Sequence, residues 1–258
     1  MDLAPSVPTS APAAPAPVKT RLRWGPWATL AWGVLIMVVM VLFQSLGAIA
    51  FWKLWQHLHP EQVISIASLA SNGAVLAFSV VVSAPAVLAV IGWAVRLSRV
   101  SLTDYLALKL PRWRDIGIGI ALLAAVLLGT GLLADMTGQE TPAFITDTFN
   151  TARAAGMLPL LIFSFAILGP FQEEVMFRGF LFRGFAPSFG VWPTILITAA
   201  VWAIIHVQYQ WFFMGEIFAL GIVFGWLRAR SGSLLLTFGL HAFVNSMAVV
   251  EAALMAGK

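Results

Sequence analysis

Glu173 and Glu174 stand side by side in the string Phe171-Gln-Glu-Glu-Val-Met-Phe-Arg-Gly179, and Arg178 follows Glu174 by four residues. Two further polar islands lie downstream: His206, four residues after Trp202, and His241, four residues before Asn245. All of them sit in stretches that are otherwise apolar. An ionisable side chain in such a stretch costs several kcal/mol unless it is paired or wet, so it marks a functional site by default. A carboxylate and an imidazole facing one water can act together as its general base. A second imidazole and a carboxamide can donate hydrogen bonds to a developing oxyanion. Glu173, His206, His241 and Asn245 are therefore the candidate catalytic residues for hydrolysis of an amide bond. The same side chains leave a second scheme open, in which Glu173, His206 and His241 bind a divalent metal such as zinc that activates the water. The His-Glu-x-x-His signature of zinc peptidases is absent.

Helical spacing assigns directions to these groups. Glu174 and Arg178, at i and i+4, can pair on one face. Glu173 is turned about 100° from Glu174 and can point into a cavity. His241 and Asn245 share a face. Pro170 removes a backbone donor just before the acidic pair and should kink that helix beside Glu173. Counted from the ends nearer the basic residues, Glu173 lies roughly 15 Å deep, His241 roughly 12 Å, Asn245 roughly 18 Å and His206 roughly 22 Å. One buried site, expected to open toward the cytoplasm, could contain all four.

The elements that must carry this site are membrane helices. The chain is 60% hydrophobic and 10% charged, against about 25% charged in soluble domains. A fold of 258 residues cannot hide that much apolar surface, so the bilayer is its solvent. Seven windows are long enough to span: 27–51, 70–95, 116–134, 157–183, 191–207, 211–227 and 234–255. The fold class is thus an all-α polytopic bundle of about seven transmembrane helices. With the N-terminus in the cytoplasm, twelve of the fifteen Lys and Arg residues fall on the inside and only Lys53, Arg153 and Lys258 outside, as the positive-inside bias requires. The net charge of +4 is then loop charge and not a nucleic-acid patch. Residues 1–23 read as a Pro/Ala-rich disordered tail with a basic end, and 24–258 as one transmembrane domain. The mixed stretch 100–114 is expected on the cytoplasmic surface. There are no cysteines, which excludes disulfides, thiolate ligands and a cysteine nucleophile.

Three polar islands in this order resemble the CPBP family, the type II CAAX prenyl endopeptidases and the related Abi bacteriocin-processing proteins. That family carries Glu-Glu-x-x-x-Arg, Phe-x-x-x-His and His-x-x-x-Asn. Here they read Glu173-Glu174-Val-Met-Phe-Arg178, Trp202-Ala-Ile-Ile-His206 and His241-Ala-Phe-Val-Asn245. The similarity covers about residues 157–250, and Trp202 stands where the family has Phe. The resemblance implies an intramembrane protease in which Glu173 and His206 activate water, Glu174 and Arg178 hold the helix, and His241 and Asn245 stabilise the oxyanion. It implies a membrane-anchored, CAAX-type polypeptide substrate, and either a glutamate or a metalloprotease mechanism. It implies residence in a bacterial plasma membrane, or in the endoplasmic reticulum of a eukaryote. The rival readings are a non-catalytic scaffold, such as an immunity protein, and a transporter with a buried polar site. Against the transporter, no internal repeat is visible.

Overall fold

A computed structural model describes residues 23–256, so the Pro/Ala-rich stretch 1–22 lies outside the described residues. The described chain is helical, with α1 Pro26–Leu58, α2 Gly73–Ser98, the short α3 Leu102–Leu106, α4 Trp113–Thr137, α5 Ala143–Ala154, α6 Leu158–Phe189, α7 Val191–Ile204, α8 Trp211–Ser231 and α9 Leu234–Met255. Six of these (α1, α2, α4, α6, α8 and α9) are long and apolar enough to cross a bilayer. Their outer faces carry exposed Val34, Val38 and Leu42 on α1 and Leu128 and Leu132 on α4, side chains that only lipid can cover. The protein is an integral multi-pass membrane protein.

The fifth expected span, 191–207, is shortened. α7 has 14 residues, a rise of about 21 Å against a hydrocarbon core of about 30 Å. The apolar run continues to Val207, but the helix ends at Ile204 and turns through 205–210 into α8. α7 lies antiparallel on α8 because Gly221 and Gly225 carry no side chain: a Cβ on Gly221 would meet Ala199 Cβ at 2.8 Å, and one on Gly225 would meet Ile195 Cγ2 at 3.0 Å. Close approach of this kind is how helices associate where lipid removes the hydrophobic drive.

Capping fixes the other boundaries. The second window was expected from residue 70, but α2 starts at Gly73, where the Asn72 side chain accepts from the Ala74 and Val75 N–H groups. Ser233 caps α9 at Leu236.

Contacts at the helix ends define two faces of the bundle. At one face, Asp115 of α4 pairs with Arg112 (3.0 Å) and with Arg230 of α8 (3.3 Å). There too the Leu234 N–H donates to the Ala107 carbonyl, and Gly184 of α6 lies against Thr29 of α1. At the opposite face Thr151 of α5 accepts from the Gly73 N–H, Thr141 donates to Glu251 of α9, and Phe144 packs edge-on to Tyr209. Twelve Lys and Arg residues fall among those described. Ten of them (Arg23, Arg96, Arg99, Lys109, Arg112, Arg114, Arg178, Arg183, Arg228 and Arg230) belong to the first, basic half, and Lys53 and Arg153 to the second. The stretch 100–114 lies at the surface of the basic end as expected, with 105–107 alone turned into the core. Tyr105 and Leu106 are buried there among the core side chains, while Leu102 and Asp104 of α3 stay exposed.

Candidate active site

α6 is the spine of the site, and its backbone is irregular where the chemistry lies. Residues Phe163–Leu168 and Val175–Leu181 wind as π-helix on either side of the Gly169–Glu174 turn that carries Pro170 and both glutamates. π-turns inside α-helices are frequent at functional sites because they redirect side chains. The Gly169 N–H reaches back to the Ser164 carbonyl, and Pro170 has no N–H to offer. The Phe165 carbonyl thus lacks its usual backbone donor. Asn245 fills the gap, its Nδ2 donating to Phe165 O at 2.8 Å.

Glu173 and Glu174 diverge as the 100° step requires. Glu174 is fully buried. Its Oε1 accepts from Arg178 at 3.0 Å and lies 3.1 Å from His241 Nδ1. The Arg178 guanidinium, also buried, stacks over the Trp202 ring at 4.4 Å and the Phe224 ring at 5.4 Å. His241 sits against Phe224 at 5.6 Å and edge-on to Trp202 at 5.1 Å. Because the carboxylate of Glu174 accepts from Nδ1, the nitrogen left to His241 for other partners is Nε2.

Glu173 turns the other way. Its Oε2 accepts a 2.6 Å hydrogen bond from the Trp202 indole, a donor that the phenylalanine usual at this position in the resembled family lacks. The backbone of the same residue holds His206: His206 Nδ1 lies 2.7 Å from the Trp202 carbonyl. A carbonyl can only accept, so Nδ1 carries the proton and the neutral ring presents a free lone pair on Nε2. Trp202 thereby holds both a carboxylate and an imidazole base.

Glu173, His206, His241 and Asn245 all line one cavity of about 970 Å³. Glu174 and Arg178 do not line it and lie beneath its floor, where they brace His241 and Trp202. The sequence marks Glu216, near the outer end of its span, as wet at the interface or lining an access path, and it stands in the cavity wall; it gives no sign of Trp202 as a hydrogen-bond donor or of Tyr209 as a further wall residue. Tyr209 stands in the 205–210 turn. Desolvation, reinforced by the carboxylates of Glu173 and Glu216, pushes its hydroxyl up to about 12, so it is a neutral donor at any working pH.

Among the described residues no group of three His, Asp or Glu side chains is disposed to hold a metal ion, so the metal scheme on Glu173, His206 and His241 gains no support from the structure. The cavity does not open on the basic face as expected. Gln139, Thr141 and Glu251 stand at its mouth, on the face opposite the basic residues.

The fold and this cavity define a polytopic membrane protein with a carboxylate and imidazole site inside the helical bundle. Residues 155–247 match the family model described as Type II CAAX prenyl endopeptidase Rce1-like. That segment is similar to Rce1-like domains, which is consistent with the CPBP intramembrane proteases, and the matched family is a protease family. The chain is also similar to an "Uncharacterized 24.3 kDa protein" of Escherichia coli, 29% identical over 142 residues. That stretch is 53% of this chain and 65% of the relative, so the chain spans slightly under two thirds of that relative's length. No solved structure matches.

Proposed function

We propose that this protein is an intramembrane endopeptidase that cleaves membrane-anchored polypeptides, lipidated CAAX-type chains among them, with water activated by Glu173 and His206. The observation that carries this reading is the double grip of Trp202, which points Glu173 and the Nε2 lone pair of His206 into one cavity. A water bridging Glu173 and His206 Nε2 loses a proton to Glu173 as its oxygen attacks the scissile carbonyl. The oxyanion is met by N–H or O–H donors, for which protonated His241 Nε2, the second Asn245 N–H and the Tyr209 hydroxyl are the available groups. Collapse breaks the C–N bond, and the proton on Glu173 passes to the departing amine. Asn245 spends one of its two N–H bonds on Phe165, so part of its work is to hold α6 in shape.

The test is cleavage of a panel of lipidated and transmembrane peptides by purified protein in detergent. Glu173→Gln and His206→Ala should each abolish turnover while the melting midpoint stays within a few degrees. Turnover surviving either change would end this mechanism. A scaffold would keep its cellular phenotype with Glu173→Gln.

A further inference from the structure

The cavity and the positive charge of the chain occupy opposite ends of the bundle. Its walls come from the helix halves remote from the basic face: Leu76 at the start of α2, Ala134 near the end of α4, Glu216 at the start of α8 and Glu251 near the end of α9. Its lining includes Asp135, Glu173, Glu216 and Glu251, and among the described residues no Lys or Arg. The basic end is shut beneath the floor. There the Arg178–Glu174 pair is fully buried, the Arg228 Nε donates to the Arg178 carbonyl, Leu106 and Leu234 fill the space beside Gly179, and Tyr105 of α3 stacks on Phe180.

Lys and Arg in short segments flanking membrane spans are retained in the cytoplasm, and this bias sets orientation. The segment 99–112 and the helix ends around it hold nine of the twelve described basic residues, and Arg178 is buried in its pair with Glu174; the mouth side has Lys53 and Arg153. Seven traverses, counting α7 and α8 as a down-and-back pair, carry the chain from the basic face at α1 to the mouth face at the end of α9.

From this we infer that the cavity opens on the extracytoplasmic side, and that the site takes exported membrane-anchored polypeptides whose scissile segment enters from outside. The substrate half of the statement rests on the peptidase reading above; the facing of the cavity does not. A polypeptide still held in the cytoplasm meets the sealed end, where the salt-bridged floor and the α3 plug separate it from Glu173. The chemistry upstream is therefore export and membrane anchoring of the substrate, and the products are an anchored stub and a fragment released to the outside.

The absence of cysteine makes the test direct, because one introduced thiol is the sole thiol of the chain. Gln139→Cys and Thr141→Cys report the mouth; Arg114→Cys and Lys109→Cys report the basic end. Each full-length variant is first shown to react with a maleimide in detergent, and is then treated in spheroplasts with a membrane-impermeant maleimide. The mouth thiols should label in intact spheroplasts and the basic-end thiols only after permeabilisation. The reverse pattern, or equal labelling of both sets, would overturn the inference. A second arm uses proteoliposomes of known sidedness carrying an anchored peptide whose cleavable segment lies on one side. Cleavage from the Gln139 side alone is expected, and cleavage from the Arg114 side alone would overturn it. Peptides left intact from both sides, with labelling as expected, would retire the peptidase reading and the substrate assignment with it while the facing stands.

Discussion

Replacing Arg178 with methionine strips the ion-pair partner from a carboxylate that has no access to water. The residue is 1% exposed and Glu174 0%. Their charged atoms are 3.0 Å apart, an attraction of about 5 kcal/mol at an effective dielectric near 20. Methionine approximates the aliphatic stem, so little cavity is created. What is lost is the charge, the stacking over Trp202 and Phe224, and the 3.4 Å contact to the Gly221 carbonyl. Glu174 would keep His241 at 3.1 Å but no charge-compensating arginine. Breaking a buried pair from one side costs about 3–5 kcal/mol, chiefly because the survivor is left charged and unpaired. Arg178→Met should therefore unfold about 3–5 kcal/mol more easily in reversible mixed-micelle titration, and its thermal midpoint should fall by roughly 10 °C. Neutralising the survivor should relieve the penalty. The double variant Glu174→Gln/Arg178→Met should regain about 1–3 kcal/mol relative to Arg178→Met alone. A single variant within 1 kcal/mol of wild type, or strict additivity in the double, would refute the account of a desolvated, mutually dependent pair.

The Trp202 indole bond to Glu173 is charge-assisted, a type worth about 1.5–3 kcal/mol, so Trp202→Phe should lower kcat roughly 10- to 150-fold with KM little changed, and the smaller ring in this buried position should lower the melting midpoint as well. Full kcat in that variant would show that Glu173 does not depend on the indole for its aim. Asn245→Ala leaves the Phe165 carbonyl without a donor and should cost about 1–3 kcal/mol of stability. Adding Pro170→Ala restores the missing N–H to α6 and should recover most of that loss in the same titration. Failure of this rescue would mean that Asn245 stabilises the fold by some other route, while a rescue of stability without activity would assign Asn245 a role at the reacting centre as well.

Some of this arrangement was legible one residue at a time. The i,i+4 spacing of Glu174 and Arg178 required a shared face, and the 100° step put Glu173 on another. Those angles are properties of any helix, whatever surrounds it. The length and apolarity of the long runs required membrane helices, because unsatisfied backbone cannot cross lipid in any other open form. The shortening of α7 was hidden, since apolar composition continues past Ile204 into a turn where hydropathy carries no stop signal. Trp202 read as an aromatic spacer, and its donor role depends on the rotation of α7 against α6. Asn245 read as an oxyanion donor, but its partner is a carbonyl 80 residues away that Pro170 and a π-turn leave unsatisfied together.

What the amino-acid order determines by itself is therefore local and periodic: which stretches are helical, which polar groups share a helical face, and which flanks carry positive charge. The tertiary structure alone decides convergence and access. It brings Glu173, His206, His241 and Asn245 to one cavity, turns Glu174 beneath its floor, and opens that cavity away from the basic flanks. The physical reason is that hydrogen-bond direction and the closure of one end depend on how helices distant in sequence are rotated and packed against each other, and neither residue type nor spacing encodes that rotation on its own.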